Sequence, residues 1–150
     1  MNALLKVPDH QAAVAPASRP PRLPQRILVV DDDADIRLLN YEVLIRSGYQ
    51  VDTAEDGAAG WKMLHAVCSS PASYDLLITD NNMPKISGVE LVKKLRAARM
   101  ALPVILASSA VPPDAESLQL VAMLLKPFCP DQLVQTVKQA LQNNRGDCQG

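Results

Sequence analysis

Aromatic residues are scarce in this chain of 150 residues, because tryptophan, tyrosine and phenylalanine together make up only 3% of the sequence. A core must therefore be built from Leu, Val, Ile and Ala, and apolar residues still reach 48% of the composition. Cysteine is also rare, and its three widely spaced positions, Cys68, Cys129 and Cys148, form no metal-ligand pair. Such an odd, unpaired set indicates reduced thiols in a cytoplasmic protein rather than a disulfide framework.

The sequence also lacks an excess of either charge and any long apolar run. Fifteen Lys and Arg residues stand against sixteen Asp and Glu residues, which gives a net charge of −1. This balance provides no strongly basic surface, so we expect no direct nucleic-acid partner and no membrane partner. No stretch approaches the roughly 20 apolar residues that a membrane-spanning helix requires.

The first 25 residues differ in composition from the rest of the chain. They hold five of the twelve prolines and show no sustained apolar periodicity. We interpret residues 1–25 as a disordered Pro/Ala-rich leader. Residues 26–143 are long enough to form one domain with an adequate core, and residues 144–150 are interpreted as a short C-terminal tail.

From residue 26 onward, short apolar runs alternate with amphipathic stretches. The predicted strands are Ile27–Val30, Val51–Ala54, Leu76–Thr79, Val104–Ala107 and Met123–Leu125. Helical spacing predicts a helix after each strand, the fourth being a weak stretch over residues 114–121 and the last covering residues 131–142. Strands that are apolar almost throughout indicate a doubly wound α/β fold, with a five-stranded parallel sheet and helices on both faces. Right-handed crossovers place the strands' carboxyl ends along one edge, where such sheets bind ligands.

Charged and polar side chains follow four of these strands. Asp31 and Asp32 come after the first strand, Asp80 after the third, Ser108 after the fourth and Lys126 after the fifth. Carboxylates that converge without a cation repel one another and raise one another's pKa, whereas Mg²⁺ with oxygen ligands relieves the repulsion. An aspartate can itself act as a nucleophile, and lysine and serine can bind phosphoryl oxygens. The set is therefore suited to phosphoryl transfer.

In this order and spacing, these residues resemble the receiver domain of bacterial two-component response regulators. The resemblance covers about residues 26–143. The motifs that carry it are the run Ile27–Asp33, the segment Asp80-x-x-Met83-Pro84-x-x-x-Gly88, the serine at position 108 and the tripeptide Lys126-Pro127-Phe128. For the sheet we predict the flavodoxin-like strand order 2-1-3-4-5.

The resemblance implies a role for each residue of the set. Asp80 would accept a phosphoryl group from the phosphohistidine of a histidine kinase. Asp32 and Asp80 would bind Mg²⁺ by carboxylate, Asp31 largely through water and Asn82 by its backbone carbonyl. Lys126 would contact the phosphoryl group, with a cis bond to the proline that comes next. The serine at position 108 would turn toward the phosphoryl group and carry the signal.

The chain departs from the family on the side that relays the signal. Three residues before the lysine, where the family usually carries Tyr, Phe or His, this sequence has Met123. The stretch from Ser108 to Lys126 is shorter than is typical, and Pro112-Pro113 shortens its helix further. We therefore expect a complete acceptor site with an altered relay, read out by a different movement or by a partner that senses the edge of the site.

Two other sites that the sequence suggests are rejected. Asp31-x-Asp33-x-Asp35 mimics a calcium-binding EF-hand loop, but the sixth position is Ile36 instead of glycine. A strand followed by Asp-x-Asp also resembles the haloacid-dehalogenase phosphatases, yet the acidic pair these enzymes need downstream of their lysine is missing. The basic residues of the third predicted helix are interpreted as a solvated face, with a partner-binding patch as the alternative; they are Lys93, Lys94, Arg96 and Arg99.

The sequence thus predicts a stand-alone receiver rather than an enzyme, catalysing at most its own phosphorylation and dephosphorylation. Its expected partners are a histidine kinase or phosphotransfer protein and a downstream protein target, because only eight residues come after Gln142. One alternative is a receiver segment of a hybrid kinase or of a longer regulator, against which the starting methionine and the leader argue mildly. Another is an interaction module that works without phosphorylation.

Overall fold

The computed structural model describes residues 24–67 and 73–149, with only the backbone for residues 143–149. Of the proposed leader, the described part contains only residues 24 and 25. Within the described residues, five strands alternate with four α-helices, except that the fourth strand is followed by the fifth after a short 3₁₀ turn, without an α-helix between them. They are β1 (Arg26–Val30), α1 (Ala34–Arg46), β2 (Gln50–Ala54), α2 (Gly57–Val67), β3 (Leu76–Asp80), α3 (Gly88–Ala97), β4 (Val104–Ser108), β5 (Ala122–Leu125) and α4 (Pro130–Gln149).

All five strands are parallel and occur in the order β2-β1-β3-β4-β5, which confirms the predicted sheet. Each strand agrees with its predicted bounds to within one residue at either end. The register places Val30 beside Thr79 and Asp80 beside Ala107. Because the strands end at the same level, the residues directly after them meet at one edge of the sheet.

Alternate residues of each strand pack into two apolar layers, one on either side of the sheet. Ile27 and Val29 of β1 lie in the layer with helices α1 and α4, and Leu28 and Val30 lie in the layer with α2 and α3. Fully burying a Leu, Ile or Val side chain contributes on the order of 2 kcal/mol. This two-sided burial explains why the strand sequences read as continuous apolar runs rather than as alternating ones.

Local signals in the sequence set the ends of the helices next to the site. Asp33 caps α1 by accepting hydrogen bonds from the backbone N–H groups of Asp35 and Ile36. Gly48, with a φ of 99°, ends the same helix, as glycine does where the chain turns left-handed. Ser87 and Glu90 form a reciprocal capping box at the start of α3.

Between β4 and β5 the structure differs from the prediction. The helical stretch expected over residues 114–121 is a single 3₁₀ turn, Ala115–Leu118, so the prediction of its extent was wrong. Leu118 is buried in the layer with α3 and fixes this turn to the rest of the fold. The last helix is longer than predicted and runs to Gln149. Among the described residues, none of the helices combines the length and the apolar character needed to cross a membrane.

Candidate functional site

Three carboxylates meet at the edge formed by the strands' carboxyl ends. Asp80 is the last residue of β3 and is 3% exposed, and Asp31 comes directly after β1 and is 4% exposed. Asp32 beside it is open to solvent. One carboxylate oxygen of each residue lies within 4.8 Å of the corresponding oxygens of the other two. The parallel pairing of β1 with β3 brings these residues together, as expected from the sequence.

Lys126 supplies a positive charge to this cluster. Its ammonium Nζ donates a hydrogen bond to Oδ1 of Asp80 over 2.5 Å. The backbone N–H of Lys126 donates to the carbonyl of Ser108 over 2.9 Å, which continues the pairing of β5 with β4 and orients the side chain toward β3. The Lys126–Pro127 peptide bond is cis, which confirms the expectation from the resemblance.

The cluster keeps unbalanced negative charge even with the lysine in place. Three carboxylates and one ammonium leave a formal charge of −2 when all are ionised. Burial raises the pKa of Asp31, and the neighbouring charge of Asp80 raises it further. A hydrogen bond of 2.9 Å from the N–H of Asp33 to Oδ1 of Asp31 opposes that rise only in part.

This set of donors fits a hard divalent cation. Mg²⁺ takes oxygen ligands, commonly one or two carboxylates together with water and phosphate oxygens. Two buried carboxylates beside an exposed one offer such oxygens on the open side of the cluster. A bound cation would also neutralise the charge that Lys126 leaves uncompensated. Asp31, Asp32 and Asp80 are therefore the residues that could hold it.

The loop of residues 81–87, which follows Asp80 and which we name the acceptor loop, is joined to helix α3 by Asn81. The sequence did not predict this contact. Its side-chain Oδ1 accepts a hydrogen bond from the N–H of Val89 over 3.0 Å, and its backbone carbonyl accepts one from Gly88 over 3.1 Å. A Cβ at Gly88 would lie 2.8 Å from Cα of Asn81, so glycine is required for this close approach. The tendency of asparagine to hydrogen-bond nearby backbone groups could have indicated the role of Asn81.

The rest of the acceptor loop contacts the residues at the start of helix α2. Lys85 has a φ of 68°, unusual for a residue other than glycine, and its ammonium lies 3.3 Å from Oδ2 of Asp56. Gly57, at the start of α2, packs directly against Ile86. Asn82 is exposed at the open side of this loop, on the same edge of the sheet as Asp80.

Ser108 lies one strand away from Asp80. It is the buried last residue of β4, and Ala107 beside it is the register partner of Asp80. Its hydroxyl oxygen accepts a hydrogen bond from the N–H of Ala110 over 3.3 Å. The serine is therefore placed on the edge that the sequence predicted, with its side chain engaged by the segment directly after β4.

Met123, which departs from the family pattern, lies two residues before Leu125. Both lie on the edge strand β5, where Met123 is half-buried and Leu125 is 53% exposed. In the described residues, the connection between β4 and β5 contains a single 3₁₀ turn and no α-helix.

The interpretation of the four basic residues as a solvated helix face was wrong for Arg96. Its guanidinium donates hydrogen bonds to four backbone carbonyls, those of Met100, Leu102, Leu118 and Gln119. Lys93 pairs with Asp114 over 2.8 Å, and Lys94 lies over the ring of Trp61. The acceptors of Arg96 come from two separate segments of the chain, which the residue pattern of the helix alone does not reveal.

Comparison with known proteins agrees with this geometry, because residues 27–138 match the response regulator receiver domain family. The chain belongs to that family. Among solved structures of 25% identity or more, it resembles the response regulator TrrA of Thermotoga maritima in complex with Mg²⁺-BeF. The TM-score is 0.68 at 36% identity, over 78% of this chain and 99% of that one. It also resembles the chemotaxis protein CheY4 of Vibrio cholerae, with a TM-score of 0.71 at 29% identity, over 79% of this receiver and all of that chain.

Two curated relatives are longer proteins, of which this chain matches a part. The transcriptional regulatory protein PrrA of Mycobacterium leprae is 38% identical over 125 residues, which are 81% of this chain and 51% of that protein. The sensor protein EvgS of Escherichia coli O157:H7 is 45% identical over 95 residues, 62% of this chain and 8% of that protein. This chain thus spans about half the length of the regulator and under a tenth of that of the sensor.

Proposed function

We propose that this receiver accepts a phosphoryl group on Asp80 from the phosphohistidine of a histidine kinase or phosphotransfer protein. The observation that carries the proposal is the position of Asp80, which is buried at the tip of β3, paired with Lys126 and clustered with two further carboxylates. Phosphoryl transfer needs mainly alignment and neutralisation of charge, and this edge of the sheet offers both.

In the proposed transfer, a carboxylate oxygen of Asp80 attacks the phosphorus of the phosphohistidine. The new P–O bond forms an aspartyl phosphate while the P–N bond breaks, and the imidazole nitrogen leaves with the electron pair. Hydrolysis by water later cleaves the acyl phosphate and restores the carboxylate. The chain is thus a phosphoacceptor and acts on no separate substrate.

The neighbouring residues divide the task of neutralising the phosphoryl group. Mg²⁺, when bound, neutralises charge on the transferring oxygens. The carboxylates of Asp32 and Asp80 would hold it directly, Asp31 largely through water and Asn82 by its backbone carbonyl. Lys126 would release Oδ1 of Asp80 in part and bind a phosphoryl oxygen. Ser108 would turn its hydroxyl from the N–H of Ala110 toward the phosphoryl group.

For the output, we propose phosphorylation-dependent binding of a downstream protein in the cytoplasm, without direct contact to nucleic acid or membrane. The near-neutral net charge supports this choice of partner. Sequence relatives that are regulators or a sensor favour a second candidate, in which the same receiver works as a segment of a hybrid kinase or of a longer regulator. Both candidates require phosphorylation of Asp80, and an interaction module that works without phosphorylation does not.

Incubation with acetyl phosphate and Mg²⁺, followed by intact-mass measurement, tests the proposed acceptor. We expect the wild-type chain to gain one phosphoryl group and the Asp80→Asn variant to gain none. Asp75→Asn is the matched control, because Asp75 precedes β3 at the opposite end of the strand. This control should be labelled like the wild type. Labelling of Asp80→Asn at the wild-type level would contradict the assignment.

A further inference from the structure

Arg96 fastens the end of helix α3 to the chain between β4 and β5. Its Nε donates to the carbonyl of Leu118 over 3.0 Å and its Nη2 to the carbonyl of Gln119 over 3.1 Å. Nη1 donates to the carbonyls of Met100 and Leu102 over 2.9 and 3.0 Å. A guanidinium presents five N–H donors in a rigid fork, and here four hydrogen bonds join two separate segments.

Seven of the residues 109–121, which we name the connecting segment, are exposed, and Leu120 and Val121 at its end pack partly buried against the two apolar layers. Leu118 is the one fully buried side chain among these thirteen residues, all of which the structure describes. Lys93, one turn before Arg96 on α3, pairs with Asp114 of the connecting segment over 2.8 Å. An exposed ion pair of this kind is weak alone, but it ties the same segment to the same helix.

The other end of α3 is attached to the acceptor loop. The N–H groups of Gly88 and Val89, in the first turn of α3, both donate to Asn81, the neighbour of Asp80. The N-terminus of a helix carries partial positive charge, so added negative charge at Asp80 attracts the start of α3. Leu91, Val92 and Leu95 of α3 are buried in one apolar layer, and so densely packed an interior transmits strain.

We propose that helix α3 transmits occupancy of Asp80 to the connecting segment, with Arg96 as the positioning residue at its far end. The inference rests on the proposed function, because it concerns the structural consequence of phosphorylation at Asp80. The route runs from Asn81 along α3 to the carbonyls of Leu118 and Gln119. This route does not pass through residue 123. It therefore does not require the aromatic residue that the family usually carries where this chain has Met123.

Backbone amide chemical shifts, recorded with and without Mg²⁺ and beryllofluoride, test the route. In the wild type, we expect shifts at residues 81–89 and at residues 109–121. In Arg96→Gln, the beryllofluoride-induced shift changes at residues 81–89 should remain. Those of the connecting segment should fall at least threefold. Arg99→Gln is the matched control, because it removes the same charge from a side chain that makes no hydrogen bond to the described residues. Its shifts should equal those of the wild type.

Arg96→Lys tests whether the loss comes only from the removed charge. It keeps the positive charge, but one ammonium does not reach carbonyls on both segments, so we expect the same threefold loss. Coupling between two sites is reciprocal, and both variants should therefore also change the apparent affinity for beryllofluoride, by about fivefold. Arg99→Gln should leave this affinity unchanged.

Two results would overturn the route through α3. If Arg96 were only a structural staple, Arg96→Gln would alter the free-state shifts of the connecting segment but leave the beryllofluoride-induced differences intact. If those differences vanished in Ser108→Ala and persisted in Arg96→Gln, the coupling would run along β4 instead. If beryllofluoride changed no amide shift at residues 81–89 in the wild type, the proposed function itself would fail, and this outcome is distinct from a failure of the route through α3.

Discussion

At the scale of single residues, Asp31 lies in an environment that opposes its charged form. Burial and the charge of Asp80 raise its pKa, so the folded protein holds the proton more tightly than the unfolded chain does. In the absence of Mg²⁺, its contribution to stability therefore falls as the pH rises from the ordinary value through the raised pKa. The sequence predicts that Asp31 lies at the edge of the sheet. Its burial depends on how the surrounding segments pack, which the sequence pattern does not show.

The Asp31→Asn variant should be more stable than the wild type at pH 7 in EDTA. Asparagine still accepts the N–H of Asp33 and removes the unfavourable charge. We expect a gain of about 1 kcal/mol, or roughly 3 °C in melting temperature. Addition of Mg²⁺ should stabilise the wild type and narrow this difference. Thermal unfolding in EDTA and in Mg²⁺ measures both effects, and a variant less stable than the wild type in EDTA would contradict the electrostatic account.

A second cluster of polar side chains lies away from the site, near the amino ends of β1 and β3. The hydroxyl of Tyr74 donates to Oδ2 of Asp52 over 2.7 Å, and the guanidinium of Arg26 donates to the same oxygen over 2.7 Å. Burial and the hydrogen bond to Asp52 raise the pKa of Tyr74 to about 12. Because the folded pKa exceeds the unfolded one, the stabilisation is complete below about pH 10 and is lost as the pH rises through 12.

Tyr74→Phe should therefore destabilise the chain by about 1 kcal/mol at neutral pH, because Asp52 loses a donor. Between about pH 10 and 12 the stability of the wild type should fall toward that of the variant. Urea unfolding at several pH values measures the difference. The ultraviolet titration of the variant should also lack the tyrosine that ionises near pH 12. A constant difference across this range would show that the hydrogen bond to Asp52 is not what sets the pKa of Tyr74.

At the scale of elements, the contact between the acceptor loop and α3 decides whether the site is held in place. Gly88 has no room for a side chain, since a Cβ would lie 2.8 Å from Cα of Asn81 and 2.9 Å from Cδ1 of Leu106. Gly48, at the end of α1, has open space around it but a φ of 99°. The two glycines are therefore required for different reasons, which a pair of substitutions separates.

Gly88→Ala and Gly48→Ala should each reduce stability by about 1 to 3 kcal/mol, the first through overpacking and the second through a strained backbone. Only Gly88→Ala should slow labelling by acetyl phosphate, on the order of tenfold or more, because it displaces the loop that follows Asp80. Urea unfolding and the labelling rate measure the two effects. Equal labelling rates for both variants would mean that the start of α3 does not position the acceptor.

At the scale of the whole molecule, the sequence predicted the sheet and the place of the site because these depend on local, repeated features. Apolar runs mark the buried strands, and parallel pairing brings the residues at their carboxyl ends to one edge. The caps formed by Asp33 and Ser87 and the turn at Gly48 also depend on residues that are close together in the sequence. Strand order and the carboxylate cluster result from such features with few alternatives.

The connecting segment and the role of Arg96 could not be predicted in the same way. The four carbonyls that Arg96 contacts belong to residues up to 23 positions away, and backbone acceptors leave no pattern in the sequence. The 3₁₀ turn depends on the burial of Leu118 against α3, a contact between distant parts of the chain. The conformation of the connecting segment is thus determined by long-range packing and not by helical propensity alone.

The central claim is that Asp80 is the residue that becomes phosphorylated. Borohydride reduction of the protein after treatment with acetyl phosphate and Mg²⁺, with subsequent peptide sequencing by mass spectrometry, tests it most directly, because an acyl phosphate is reduced to an alcohol. The account predicts homoserine at position 80, dependent on Mg²⁺ and absent from the sample treated with EDTA. Homoserine at another aspartate, with Asp80 unchanged, would contradict it.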